Sequence, residues 1–300
     1  MSYEYWTYLS KHETYLSKHD QENSEDSILL RHFHADISGD KDTKNSTRAD
    51  FLKKRKEKKP LSSIKATDIF RYPEKPLLPS WLAIKVDFEL KRPWYSKDDR
   101  VFHILENPLR KEHLFDVPYI PATTWKGLLR WSCRMQSGLR QHLEKYNGKL
   151  EGWKDPDWIV DLFGNEKGEE EHFNQGVLAF YPTWFDQIGY EVINPHDRSK
   201  RAGTQPVYYE VVPAGASGTL FLLYAPFPGM TVKSEQKTAL RNLFLAIEVL
   251  LTHYGISAKR TSGWGTAQIK QWYISTKSRM SSGDLTNALS QLETLLSGEK

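Results

Sequence analysis

The densest chemistry in this 300-residue chain lies between Gly255 and Gly265, which reads Gly-Ile-Ser-Ala-Lys-Arg-Thr-Ser-Gly-Trp-Gly. Glycines let a backbone bend sharply and approach a ligand closely, and Lys259 and Arg260 carry charge suited to phosphate. Ser262 adds a hydroxyl. Trp264, with Gly263 and Gly265 on either side, is exposed unless it folds back. The run follows an apolar helical stretch (Leu240 to Tyr254) and precedes a strand-like one (Thr266 to Ile274). It therefore also reads as a tight helix-to-strand connection.

Two further clusters carry cations. In Pro118-Tyr-Ile-Pro-Ala-Thr-Thr-Trp-Lys-Gly-Leu-Leu-Arg130, Thr123 or Thr124 can cap a helix. Lys126 lies one turn in, and Arg130, four residues on, extends the same basic face into an anion site. In the polar excursion after Val192-Ile193-Asn194-Pro195-His196-Asp197, the long cations Arg198, Lys200 and Arg201 are placed to follow phosphates, or to decorate an ordinary surface hairpin. His32-Phe33-His34-Ala35-Asp36 has no third ligand cluster beside it, so no metal site is expected.

These residues need a scaffold, and the pattern supplies one. Trp81 to Leu90 alternates apolar and polar residues as a strand does. A helix follows from the threonines through about Tyr146, with Leu128, Leu129, Met135 and Leu139 facing inward. Gly176 to Phe185 reads as a strand, then a strand pair spans Tyr208 to Val212 and Thr219 to Tyr224. Ser234 to Tyr254 is an amphipathic helix, Thr266 to Ile274 a strand, and Leu285 to Leu296 a closing helix. The order strand, helix, strand, strand, helix, strand predicts an α+β, ferredoxin-like (RRM-like) antiparallel sheet. Residues 1–78 form a polar, basic, partly extended N-terminal extension that includes the run Lys53 to Lys59. The sheet domain occupies 79–277, with insertions at 91–118, 147–175 and 187–212, and 278–300 form a C-terminal helix or tail.

Composition narrows the function classes. A net charge of +4 is mildly basic and does not by itself demand a nucleic-acid partner. Ten Trp and fifteen Tyr suit a packed core or stacking surfaces. The single cysteine, Cys133, excludes an internal disulfide framework and fits a reducing cytoplasm. No stretch nears the roughly 18 apolar residues of a membrane span, so a cytoplasmic protein with no membrane partner is expected.

Four segments together resemble the RAMP superfamily of CRISPR-associated proteins, above all the backbone subunits of type III effector complexes. They are Pro118 to Arg130; Asp161-Leu-Phe-Gly164 with Gly176-Val-Leu-Ala-Phe180; Val192 to Arg198 with Ala202 and Tyr209-Glu-Val-Val-Pro-Ala-Gly215; and the glycine-rich loop. The resemblance covers about 200 residues, from Trp81 to Ile274, and leaves the first 78 outside it. It implies that the Val192 to Gly215 stretch forms a thumb, a β-hairpin that wedges between nucleotides of a guide–target duplex. It further implies an RNA-binding subunit held by Thr123, Thr124, Lys126, Arg130, His196, Arg198, Lys200, Arg201, Lys259, Arg260, Ser262 and Trp264, with Gly255, Gly263 and Gly265 shaping the loop.

Partners implied are a CRISPR guide RNA, a complementary target RNA and other effector subunits. Some such subunits cut target RNA with an aspartate in a local "D-x-P-x-x-R" pattern, where this chain carries Glu106-Asn-Pro-Leu-Arg110. Glutamate is one methylene longer, and displacement by about 1 Å can cost roughly 100-fold, so binding without cleavage is expected. No cofactor is expected, and a divalent metal such as magnesium only if RNA is cleaved. Alternatives are a target-cleaving backbone subunit using Glu106 or a nearby Asp (Asp116 or the Asp98-Asp99 pair), and a repeat-processing endoribonuclease using His103 or His196 as acid or base with Lys126 or Lys259. A terminal capping or protein-scaffold subunit of the same complex is a further alternative.

Overall fold

A computed structural model of the chain describes residues 72–98, 105–112, 117–165, 174–197, 202–203, 206–228 and 235–297. The chain divides into two units, one of residues 1–58 with 100–106, the other of 59–99 with 107–300. Of the first, only Leu105 and Glu106 are among the described residues. The expectations for His32 to Asp36, the run at 53–59, Asp99, His103, Asp116, Arg198, Lys200 and Arg201 lie outside them.

The second unit is built on a five-stranded sheet. Strand β1 is Leu82–Leu90, and two helices follow the short strand β2 (Tyr119–Ile120): α1 (Ala122–Gln136) and α2 (Leu139–Lys145). After α3 (Asp157–Phe163) come β3 (Leu178–Phe180), β4 (Thr183–Trp184), β5 (Gly189–Ile193), β6 (His196–Asp197), β7 (Ala202–Gly203), β8 (Val207–Val211) and β9 (Ser217–Tyr224). The chain closes with α4 (Gln236–Val249), β10 (Ala267–Ser275), β11 (Met280–Gly283) and α5 (Leu285–Ser297). The sheet order is β11-β10-β1-β9-β3, every pair antiparallel. Without the added edge strand β11, this is the ferredoxin-like arrangement that the order of elements predicts.

The strand alternation decides which face is dry. Leu82, Ile84, Val86, Phe88 and Leu90 share one face of β1 and are at most 1% exposed. They join a core with Leu129 and Cys133 of α1 and Leu240, Leu243 and Ile247 of α4. Burying such a side chain contributes about 1.5–3 kcal/mol, so this face anchors both helices. On the other face Ala83, Phe221 and Leu223 form a small cluster with Tyr72, Trp81 and Tyr181. Tyr72 stacks on Phe221 with ring centroids 4.8 Å apart, and Lys85 lies 4.6 Å above the Tyr273 ring.

Four local expectations are corrected. The helix predicted through Tyr146 ends at Gln136, because Gly138 adopts φ 99° and starts the separate helix α2. Neither Thr123 nor Thr124 caps α1; Pro121 occupies the N-cap, and its carbonyl accepts from the N–H groups of Thr124 (3.0 Å) and Trp125 (3.1 Å). The strand read over Gly176 to Phe185 breaks at Pro182, which has no N–H to give a ladder. Its second part, β4, leaves the main sheet to pair with β2. Finally, β8 pairs with β5 rather than with β9, making a long hairpin whose outer part is the β6–β7 pair, His196 opposite Gly203.

That hairpin is held at its root. Asn107 bridges to Tyr209 in parallel, and its side-chain amide donates to the Tyr208 carbonyl at 3.1 Å. Lys111 Nζ lies 3.2 Å from Glu210 Oε1 with both side chains buried, and Glu210 Oε2 accepts from the Leu109 N–H at 3.1 Å. Breaking such a buried pair from one side costs about 3–5 kcal/mol, which makes this a firm anchor.

Candidate nucleic-acid interface

The glycine-rich loop closes on itself before it presents anything. α4 runs into a π-helical turn at Leu250–Tyr254, and Gly255 (φ 77°) ends it. The Ile256 N–H donates to the Gly265 carbonyl at 3.0 Å, and Gly265 N–H donates to the Pro93 carbonyl at 2.8 Å. Gly265 has φ 79°, and a Cβ there would lie 2.4 Å from the Ser257 nitrogen. At this position glycine is required by both conformation and space. Ser257 is buried and exchanges hydrogen bonds with the backbone of Tyr95, while the Trp94 indole donates to the Ile256 carbonyl at 3.0 Å.

The rigid frame aims two cations at two aromatic rings. Lys259 Nζ lies 4.6 Å above the Tyr209 ring of β8, and Arg260 Cζ lies 4.4 Å above the Trp131 ring of α1. The loop thus joins the root of the hairpin to the first helix. Arg260 Nη1 is buried with no hydrogen-bond partner, and burial pulls the Arg260 pKa down from its ordinary value. A buried donor without an acceptor is costly, and turning the guanidinium outward onto an anion would satisfy it. Ser262 is exposed in the 3-10 turn Arg260–Ser262, and Gly263 follows in the left-handed region with φ 76°. Trp264 folds back: its ring meets Tyr209 edge-on at 5.7 Å, and Tyr209 in turn meets Tyr95 at 5.0 Å. Burial and then Tyr209 push the Tyr95 hydroxyl up to about 12.

The start of α1 contributes a second surface. Its first turn holds no acidic side chain and no side-chain cap, so its positive end is open. Thr123 and Lys126 are exposed, and Thr124 is half-buried. Burial and the neighbouring Arg130 charge lower the Lys126 pKa. Beside it Gly127 is exposed, and a Cβ there would meet nothing within 4 Å. Among the described residues no packing calls for glycine in mid-helix, where it costs about 0.5–1 kcal/mol relative to alanine.

Arg130 has a different setting. It donates through Nε (2.9 Å) and Nη2 (2.6 Å) to Asp155 Oδ2, and Arg134 donates to both oxygens of the same carboxylate. Trp153 Nε1 adds a bond to Oδ1 at 2.9 Å. Burial raises the Asp155 pKa, but the hydrogen bonds from Arg134, Trp153 and Arg130 outweigh it and hold the carboxyl below its ordinary value. Sequence reasoning missed Asp155, Trp131 and Tyr209 as parts of the site. A lone aspartate 25 residues beyond Arg130 leaves no periodic signal, and the aromatic pair is joined to the loop only in three dimensions.

Of the remaining expected residues, His196 lies in β6 on the outer part of the hairpin, opposite Gly203. Glu106 is exposed, immediately before the Asn107 to Lys111 segment that docks on β8. Asp98 is buried. Among the described residues no group of three or more His, Cys, Asp or Glu could hold a metal ion, and no helix is long and apolar enough to cross a membrane.

A family model described as the RAMP superfamily matches residues 64–268. No curated protein matches the chain. Among solved structures it is similar to a chain of the cryo-EM structure of the Type III-B Cmr-beta bound to cognate target RNA. The identity is 16%, over 86% of this chain and 82% of that one, with a TM-score of 0.51. It is also similar to a chain of the crystal structure of the Csm3-Csm4 subcomplex in the type III-A CRISPR-Cas interference complex, with 14% identity, 71% and 95% coverage and a TM-score of 0.43. At such identities the likeness is one of fold.

Proposed function

The chain belongs to the RAMP superfamily, and from that premise we propose that it is an RNA-binding subunit of a type III CRISPR effector complex. In this reading it holds the guide RNA backbone and shapes the guide–target duplex, in the cytoplasm and beside other effector subunits. The observation that carries it is the placement of Arg260 over Trp131, with a buried Nη1 lacking an acceptor, next to the open start of α1. Lys259, Arg260 and Lys126 are the cations offered to phosphates, and Thr123, Thr124 and Ser262 add hydroxyls. Gly127 lets the backbone of an RNA come close, and Trp264 stiffens the loop by packing on Tyr209.

The long hairpin with His196 on its outer part supports the thumb role, with Arg198, Lys200 and Arg201 following it in sequence. Sequence recognition falls to base pairing by the guide, so this subunit needs phosphate and shape contacts rather than a base code. Co-expression with its neighbouring subunits, purification and sequencing of bound RNA tests the proposal. Recovery of guide-length RNA of defined sequence is expected; no RNA, or random RNA, overturns it.

A further inference from the structure

Lys126, Arg130 and Arg134 stand four residues apart on α1, so they form one row along the helix. On its own, such a row is a track for successive phosphates. Only Lys126 is exposed. The guanidiniums of Arg130 and Arg134 are 12% and 14% exposed and converge on Asp155, whose side chain is 4% exposed. Its two oxygens accept five N–H bonds, four from the arginines and one from Trp153. The segment that carries Asp155 is itself ordered. Trp153 N–H donates to the Leu150 carbonyl at 2.9 Å, and His142 packs on Trp153 and Tyr146 and reaches the Glu151 carbonyl. A tether needs one ion pair; here a single carboxylate takes two N–H bonds from each arginine, Arg134 spanning both oxygens in the fork that phosphate would use and Arg130 placing both on Oδ2.

We propose that Asp155 is an internal counter-anion that withholds Arg130 and Arg134 from RNA, so that the strand crosses α1 at Lys126 and Gly127 instead of running along it. Asp155 is a positioning residue in this account, since it acts through the arginines. The inference rests on the RNA-binding reading above. It extends that reading by giving the first helix a boundary: phosphates are accepted at its open start and refused one turn later. The Arg260–Trp131 stack, next to that boundary, becomes the point toward which the strand turns.

The test is the salt dependence of binding by the full chain to a labelled single-stranded RNA, for the wild type and for Asp155→Asn. The variant keeps the shape and removes the charge. Wild-type affinity that ignores salt would overturn the RNA-binding reading itself. Given a salt-dependent wild type, Asp155→Asn is expected to steepen the log–log slope by about 0.7 for each released arginine that takes a phosphate, about 1.4 for both, so that its affinity relative to the wild type rises about 25-fold for each tenfold drop in salt. A folded variant with an unchanged or shallower slope overturns the proposal, because a purely structural clamp would not raise the number of phosphates bound. If the variant does not fold, hydrogen exchange on the wild type decides. Amides of residues 146–156 are expected to exchange at the same rate with and without the RNA. Faster exchange on binding would mean that RNA displaces Asp155, and would overturn the proposal.

Discussion

Arg260 lies face-on to Trp131, its Cζ 4.4 Å above the indole, with Nη1 buried and no acceptor beside it. The contact links a loop near the end of the domain to its first helix. It also separates two contributions that substitution can read apart. Arg260→Ala removes a charge and is expected to flatten the salt dependence of RNA binding by about 0.7 in log–log slope. Trp131→Ala keeps the charge but removes the platform, worth about 1 kcal/mol, together with an edge contact to Tyr254, so affinity should fall about fivefold with the slope retained. Fluorescence anisotropy titrations at several salt concentrations measure both.

The loop backbone itself is expected to be intolerant at one glycine and lenient at another. Gly265→Ala combines φ 79° with a Cβ 2.4 Å from the Ser257 nitrogen, and should cost more than about 2 kcal/mol. Gly263→Ala has φ 76° but nothing within 4 Å, and should cost about 1–2 kcal/mol. Urea denaturation of the two variants gives the comparison.

Gly127 offers a test with opposite signs. Alanine fits the space and suits the helix, so Gly127→Ala should stabilise the fold by about 0.5–1 kcal/mol. If RNA backbone approaches there, the same change weakens binding. Thermal unfolding together with RNA titration reads both, and unchanged binding would remove Gly127 from the interface.

Acid should loosen the insertion after α2. The Asp155 carboxyl is held below its ordinary value by Arg134, Trp153 and Arg130, against the opposing effect of burial. Its contribution to stability is therefore complete above the ordinary carboxylate range and is lost as pH falls through the lowered folded value. Near-UV circular dichroism, sensitive to the Trp153 indole bonded to this carboxylate, should show the transition, and Asp155→Asn should lack it.

Glu106 is exposed and one methylene longer than the aspartate of the "D-x-P-x-x-R" pattern. Placing a carboxylate about 1 Å off costs roughly 100-fold in an in-line reaction. In a reconstituted complex with a matched target, Glu106→Ala is expected to leave the amount of cut RNA unchanged. Loss of cutting in that variant would make Glu106 catalytic.

Much of the fold was legible because its strands and helices repeat with periods of 2 and 3.6. The alternation from Leu82 to Leu90 and the amphipathic run to Tyr254 identify β1 and α4 without three-dimensional information. Where backbone chemistry competes with pattern, the reading failed. Gly138 breaks a helix whose apolar spacing continues past it, and Pro182 ends a ladder that composition alone would extend. The Gly255 to Gly265 loop was recognisable from its glycines and cations. What those cations rest on was not, because Tyr209 and Trp131 lie on other elements. Arg130 shows the same limit: its place on the helix is periodic, whereas Asp155 comes from an irregular segment.

The hydrogen bonds from Trp94 and Tyr95 to Ile256 and Ser257 span 162 residues, and that of Gly265 to Pro93 is longer still. Contacts so distant in sequence form only when both ends of the domain exist. A ribosome that has released α1 and the hairpin, but not yet the residues after Tyr254, carries a chain in which this loop cannot close. The loop is therefore among the last parts of the domain to close, and it closes only on a chain synthesised past Gly265.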